Sequence, residues 1–365
     1  MAERKSTMEK MVRSVPRRPD PAHWRGRRVL LTGHTGFKGA WLAYWLQKMG
    51  THVSGIALPP EGQPNLSEAL GLATQIDSRY LDIRNAGLLK QELQRIQPEV
   101  VFHLAAQALV RPGYAHPLET FATNVMGTAN LLEAMRGVAS IRAAVLITTD
   151  KVYKNLEHMA PYPETAELGG YDPYSASKAA SEMVIASYRD AFLREQGIAL
   201  AVARAGNVIG GGDWSCDRLL PDAVRAWQQD RLLHIRRPDA VRPWQHVLEP
   251  LSAYLCLAEL LPQNPGYACA WNFGPDGAAT VREVIQFATQ AYGRGRTEFA
   301  TREEGPHESG LLALDVRKAR EELQIYERWS LQESIARSMR WYRDFEQGIP
   351  AAVLCARDLE AYEAN

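Results

Sequence analysis

The chain reads as an α/β protein with a doubly wound parallel sheet and a smaller C-terminal α/β lobe. Three observations predict this. An apolar run over 29–32 is cut by Gly33, Gly36 and Gly39 and passes at once into a helical pattern carried by Trp41, Leu42, Trp45 and Leu46. Short apolar runs then alternate with helical stretches as far as about residue 210, the pattern of parallel strands whose crossovers cover both faces of a sheet. Beyond Gly211 the alternation loses its regularity, with no Gly-, Ser- or Pro-rich linker between the halves.

In chain order, residues 1–26 are polar and basic, contain Pro16, Pro19 and Pro21, and lack the apolar stretch of a secretory signal. They read as a mobile arm whose Arg4, Lys5, Arg13, Arg17 and Arg18 are solvated. Residues 27–210 form the expected dinucleotide-binding (Rossmann) domain, with further strands over 52–58, 79–83, 100–106, 143–149 and 200–207 and helices over 40–48, 88–96, 118–135 and 175–194. Helices over 219–229, 248–261, 281–292 and 331–345 mark residues 211–350 as a mainly substrate-binding lobe, some of whose segments return to the first domain, with Trp271 and Trp341 as packing and 351–365 as a tail. Ligands of parallel sheets sit at the carboxyl ends of the strands, so the segments to read are 33–39, 82–83, 105–107, 148–153 and 206–213.

Composition excludes several classes. Lys+Arg and Asp+Glu are both 42 in 365 residues, so no net field draws the chain to nucleic acid or an anionic membrane. The four cysteines, Cys216, Cys256, Cys269 and Cys355, lie far apart without metal-ligand spacing, which argues for a reducing cytoplasm and against a metal site. No apolar run approaches the ~18 residues of a membrane span.

The glycine spacing G-x-x-G-x-x-G lets backbone approach a diphosphate at a helix N-terminus, so Gly33, Thr35, Gly36, Phe37, Lys38 and Gly39 are the expected cofactor cradle. Tyr174 and Lys178 stand four apart on one helix face. An ammonium near a phenol favours the phenolate, which makes Tyr174 a candidate general base. Asn207, Arg218, Arg242 and His246 fall on loops facing the expected cleft, the arginines suited to a diphosphate, and Gln107 and Arg111 open the loop after the fourth strand.

The glycine loop, Thr148-Thr149-Asp150 and Tyr174-Ser175-Ala176-Ser177-Lys178, in this order, resemble the extended short-chain dehydrogenase/reductase family from about Arg27 to Phe345. The blocks from His34 to Leu42, Thr149-Asp150-Lys151, Asn207 to Trp214 and Arg242 to Leu251 look like its CDP-glucose 4,6-dehydratase group. The resemblance implies NAD as cofactor, CDP-glucose as substrate, oxidation at C4 with Tyr174, Lys178 and Thr149, and loss of water across C5 and C6 with Asp150 and Lys151. It also implies cofactor contacts at Asp82, Ile83, Ala105, Ala106 and Gln107, and a homodimer or homotetramer built on helices 118–135 and 175–194 with Ala179, Ala180 and Ala186 in the interface. The strand before Pro59 offers no ribose-binding acid, and Glu61 is a weak substitute. Pro112-Gly113 departs from the bulkier polar pair of the family, and Lys151 stands where dTDP-glucose enzymes carry Glu. The competing readings are a nucleotide-sugar 4-epimerase, which needs no acid–base pair at 150 and 151, and a non-catalytic dinucleotide-binding protein.

Overall fold

Val29, Leu30 and Leu31 are wholly buried, and their strand β1 (Arg28–Thr32) lies at the centre of the molecule. This computed structural model describes residues 16–157, 160–302 and 312–365. The main sheet adds β2 (His52–Ala57), β3 (Asp77–Tyr80), β4 (Val100–His103), β5 (Ala143–Ile147) and β6 (Ala199–Ala205). After β7 (Asn207–Ile209), β8 (Leu232–Ile235), β9 (Val241–Arg242) and β10 (Trp244–His246), the chain returns through β11 (Ala270–Phe273) to the edge of that sheet. The order is β11-β6-β5-β4-β1-β2-β3, and every pair is parallel. Strand order reverses between β1 and β4, so a crevice opens beyond their carboxyl ends. His103 stitches that point together, its Nδ1 2.7 Å from Thr32 Oγ1 and its Nε2 3.0 Å from Thr128 Oγ1. Burial, then the nearby Lys178 charge, pushes its pKa down to about 3, so the ring is neutral.

The strands stop short of the apolar runs that signal them, and side chains explain where. At β4 the Ala105 amide bonds to the Thr32 hydroxyl (3.2 Å) instead of a strand neighbour, so the ladder ends at His103. Beyond β3, Asp82 Oδ1 takes the Arg84 amide (2.8 Å) and turns the chain away, so the strand is Asp77–Tyr80 and not 79–83. The run expected over 200–207 is two strands hinged at Gly206.

Two long helices are also interrupted. The 118–135 stretch comprises Pro117–Phe121, a π segment Ala122–Met126 and Gly127–Met135, and the 175–194 stretch comprises Pro173–Tyr188 followed by a π segment Arg189–Leu193. In the first, the Asn124 carbonyl accepts from Thr128 Oγ1 (2.6 Å) and from Ser181 Oγ (2.8 Å), which ties the wider turn to the neighbouring helix.

The second group of elements makes three two-stranded pairings: β7 with β10, β8 with β13 (Arg296–Phe299), and β9 with β12 (Ala279–Thr280). Trp341 is buried directly over Gly211, where its indole occupies the space that a Cβ would need. Trp271 is likewise fully buried.

Both ends of the chain differ from expectation. Residues 16–26 are docked rather than mobile: Asp20 caps a short turn, Pro21–Trp24, and the wholly buried Trp24 indole donates to Glu259 Oε1 at 2.6 Å. Burial pushes Glu259 up to about 7. Arg4, Lys5 and Arg13 lie outside the described residues. The expected tail is a helix, Ala351–Ala364, because Leu354, Cys355, Asp358, Leu359 and Tyr362 recur at helical spacing on one buried face.

Candidate active site

Beyond the ends of β1, β4, β5 and β6 lies one cleft of about 1380 Å³. Single-ligand pockets are typically about 300–1,000 Å³, so this one has room for a dinucleotide and a nucleotide sugar side by side. Its floor begins with the glycine loop. Gly33 has φ +80, and a Cβ there would stand 2.7 Å from the Ala105 amide nitrogen. Gly36 is exposed towards the cleft, with only Gly33 O at 3.5 Å from its own missing Cβ. The helix Phe37–Lys48 starts there, so the first free amides face the opening, a cradle shaped and charged for a diphosphate. Thr35, Phe37, Lys38 and Gly39 line the same wall.

Lys38 is the unexpected member of that loop. A cation in the first helical turn opposes the macrodipole. Burial, followed by the charges of Arg218 and Lys178, brings its pKa down to about 7, with Asp150 opposing them. An anionic group entering the cleft relieves all of these strains at once, which fits the dinucleotide.

At the adenosine end, Asp82, Ile83 and Glu61 line the cleft. Asp82 is held by Arg84 (Nη2 at 2.6 Å), whose hydrogen bonds keep its carboxyl below the usual range. Ile83 is buried against Gly127, where a Cβ would come within 2.5 Å of its Cδ1. Ala105, Ala106 and Gln107 lie between the two ends. The Gln107 amide braces its own loop, with Oε1 accepting from the Leu109 amide at 2.6 Å and Nε2 donating to the Leu109 carbonyl and to Thr120 Oγ1 at 3.0 Å each.

The reactive groups gather where β5 ends. Thr149 caps the one-turn helix Asp150–Val152 and donates from Oγ1 to Asp150 Oδ1 at 2.9 Å. Asp150 is 1% exposed, and its Oδ2 has no hydrogen-bond partner among the described residues. That oxygen faces Gly206, 3.2 Å from where a Cβ would be. Lys151 Nζ lies 3.7 Å from Asp150 Oδ1. Tyr174 and Lys178 project from the helix Pro173–Tyr188, whose start is fixed by Asp172 accepting from the Ser175 amide at 3.0 Å. Gly113 packs closely on this helix: a Cβ there would lie 3.3 Å from the Tyr174 amide nitrogen.

Lys178 Nζ donates to the Ile147 carbonyl at 2.9 Å, and burial pushes the Tyr174 phenol up to about 12. A hydrogen bond with Thr149 and the charge of Arg218 draw the phenol pKa down, whereas Asp150 raises it. Lys178 itself is lowered by burial to about 8, with Glu182 raising it.

Around the mouth, Asn207, Arg111, Arg218 and the buried Arg242 all line the cleft. Arg218 Nη1 is 3.5 Å from Asp213, and Arg111 Nη1 reaches Asp217 at 2.8 Å, an ion pair between two residues of the cleft lining. His246 does not belong here. It is fully buried between Trp41 and Trp329, its Nδ1 accepts from the Leu248 amide at 3.3 Å, and burial lowers its pKa to about 3. It caps the following helix and is removed from the substrate set. Asn124, by contrast, could not be found from the sequence. Its side chain accepts from the Gln107 amide (2.8 Å) and donates to the Gln107 carbonyl (3.0 Å) and to Ser177 Oγ (2.8 Å), so the π segment braces two walls of the cleft. Among the described residues no cluster of His, Cys, Asp and Glu could hold a metal, and no helix is long and apolar enough to cross a membrane.

The chain resembles known proteins over nearly its whole length. The family described as GDP-mannose 4,6 dehydratase matches residues 30–338. A CDP-glucose 4,6-dehydratase of Salmonella typhimurium is 42% identical over 351 residues, covering 94% of this chain and 98% of the relative. Among solved structures, DesIV, a dTDP-glucose 4,6-dehydratase from Streptomyces venezuelae with NAD and TYD bound, superposes with a TM-score of 0.75 at 23% identity, over 89% of this chain and 99% of that one. A UDP-glucose 4-epimerase from Thermotoga maritima gives 0.75 at 22% identity over 87% and 99%. The fold, the cleft and these likenesses agree: the chain belongs to the GDP-mannose 4,6-dehydratase family of nucleotide-sugar-modifying extended short-chain dehydrogenases/reductases.

Proposed function

We propose that the protein converts CDP-D-glucose to CDP-4-keto-6-deoxy-D-glucose and water, with NAD held through turnover. The observation that carries this reading is the buried Asp150, with Lys151 at 3.7 Å, bonded through Thr149 to the side of the cleft where Tyr174 stands. Sugar oxidation at C4 alone has no use for that pair, and the full-length likeness to the Salmonella dehydratase supplies the substrate. The glycine cradle, with Asp82, Ile83, Ala105 and Ala106, would hold NAD, which when bound supplies the hydride acceptor for C4 and the hydride donor for C6.

The chain's own residues do the rest. Tyr174 takes the proton of the 4-hydroxyl as C4 is oxidised, Thr149 holds the 4-oxygen, and Lys178 places a positive charge beside the reacting centre. The resulting ketone acidifies the C5 hydrogen. Lys151 removes that proton while Asp150 donates one to the departing C6 hydroxyl. Once hydride has returned to C6, the C5 proton is replaced, and water is the only group lost. Arg111, Arg218 and Arg242 grip the diphosphate, with Asn207 beside them.

Incubation with CDP-glucose followed by base is the test, because a 4-keto-6-deoxy sugar develops ultraviolet absorption under those conditions. A 4-epimer without a ketone would overturn the reading in favour of an epimerase, and NADP instead of NAD released by acid from the purified protein would overturn the cofactor assignment.

The assembly reading is a homodimer or dimer of dimers in the cytoplasm. Leu118, Met126 and Met183 are 85%, 56% and 62% exposed on the two interrupted helices, an apolar face that pairing with a second copy would cover. Ala179 is not part of it, being buried against Val152 and Tyr153 of its own chain, whereas Ala180 and Ala186 are half-buried. Light scattering at micromolar concentration is expected to give at least twice the 40.8 kDa chain mass, and a monomer would count against the proposal.

A further inference from the structure

Behind the reactive groups lies a buried ionic cluster that the proposed reaction does not use. Glu182 follows Lys178 by one helical turn on Pro173–Tyr188. Its carboxylate accepts from Thr148 Oγ1 at 2.7 Å and from Arg204 Nε at 2.9 Å, and it pairs closely with Arg204 Nη2. Arg204, on β6, also donates from Nη1 to the Tyr153 hydroxyl (2.7 Å) and the Glu164 carbonyl (3.0 Å). Tyr153 in turn donates to Asn272 Oδ1 at 2.7 Å. Glu182 and Arg204 are 5% and 3% exposed, so both charges are deep in the protein.

Stability does not account for such a pair. Two buried charges give up their hydration, and well-packed apolar side chains of similar volume are commonly as stable or more so. What an apolar pair cannot supply is a field. The pair is neutral overall but polar, and its carboxylate stands one helical turn from Lys178 on the same helix face, while Lys178 Nζ has only the neutral Ile147 carbonyl as a hydrogen-bond acceptor among the described residues. The other titratable groups facing that ammonium are Tyr174 one turn earlier, Lys38 from the glycine-loop helix and His103 from β4, with Asp150 and Lys151 from the turn after β5 lining the same cleft. What acts against a charge on Lys178 is its burial. Glu182 is the anion on its own helix.

We propose that Glu182, oriented by Arg204, is a positioning residue that holds Lys178 in its charged form at the pH where the enzyme works. This deepens the proposed function and rests on the role given there to Lys178. The sign follows directly: Lys178 is charged below its midpoint, Glu182 moves that midpoint upward, and removing the Glu182–Arg204 dipole narrows the active window from the alkaline side.

The experiment follows Lys178 directly, by NMR titration of isotope-labelled lysine, with its resonance assigned by its loss in Lys178→Arg. The test variant is the double replacement Glu182→Met with Arg204→Met, which leaves neither charge unpaired. The Lys178 midpoint is expected to fall by about half a pH unit, less than the about one to three units that a lone opposite charge produces because the Arg204 cation leaves with Glu182. The alkaline limb of NADH formation from CDP-glucose should move down by the same amount. Glu182→Asp, which keeps the charge, should restore most of both. Should the Met pair not fold, Glu182→Gln with Arg204→Gln keeps the shape and hydrogen-bonding capacity of the cluster without its charge, and the same shift is expected. A folded double variant with a wild-type Lys178 midpoint would overturn the proposal. Absence of 4-keto-6-deoxy sugar formation by the wild type would instead overturn the proposed function, while the NMR midpoint still decides the role of Glu182.

Discussion

Replacing Tyr174 with Phe is expected to give a folded protein that forms no NADH absorbance with CDP-glucose and washes no C5 hydrogen into solvent. Phe keeps the buried ring and removes only the hydroxyl, whose partner in the structure is Thr149. Oxidation then lacks its base, and without the 4-ketone the C5 hydrogen stays non-acidic, so both partial reactions fail together. A positioned base contributes on the order of 100- to 10,000-fold, and the loss of NADH formation should fall in that range. The phenol, at about 12 before ligands arrive, is protonated at neutral pH, so its activation must come with the bound cofactor and substrate. NADH formed by Tyr174→Phe at close to the wild-type rate would remove Tyr174 from the mechanism.

Asp150→Asn should behave in the opposite way. Oxidation at C4 does not need the Asp150 proton, so NADH forms, but the amide cannot protonate the leaving C6 oxygen, and elimination slows by on the order of 100- to 10,000-fold. Enzyme-bound NADH should accumulate, read by its near-ultraviolet absorbance during a single turnover, while C5 exchange into deuterated water continues through Lys151. Asn retains the acceptor for Thr149 Oγ1, so the turn that carries the pair should persist. If Asp150→Asn bound both ligands normally yet formed no NADH, Asp150 would belong to the oxidation step.

The sequence made the sheet and most of the cleft legible because their signals are local. A glycine forced to φ +80 beside the Ala105 backbone, or a phenol and an ammonium one helical turn apart, is written in spacing. What it hid was set by contacts distant along the chain. His246 has the same neighbours in sequence whether it faces a substrate or a helix end, and only the burial of its ring between Trp41 and Trp329 decides. The direction of the Lys178 ammonium depends on the Ile147 carbonyl, which lies 31 residues away. Strand ends failed for the same reason, since the Thr32 hydroxyl that ends β4 belongs to a different strand. The docked residues 16–26 depend on Glu259, 235 positions beyond Trp24.

The Arg111–Asp217 contact has a consequence for timing. Both side chains are more than a third exposed, 36% and 35%, and such pairs are worth about 0–1 kcal/mol once solvent and salt have screened them. At the upper end the paired form outnumbers the unpaired one by only about five to one. A contact this weak is broken at least about one sixth of the time, and exposed side chains rearrange within picoseconds to nanoseconds. This ion pair by itself therefore cannot confine an intermediate. Commitment of a half-reacted sugar must come from slow release of its own diphosphate, so a substrate shortened to the sugar 1-phosphate should escape as the ketone more often than it completes the cycle.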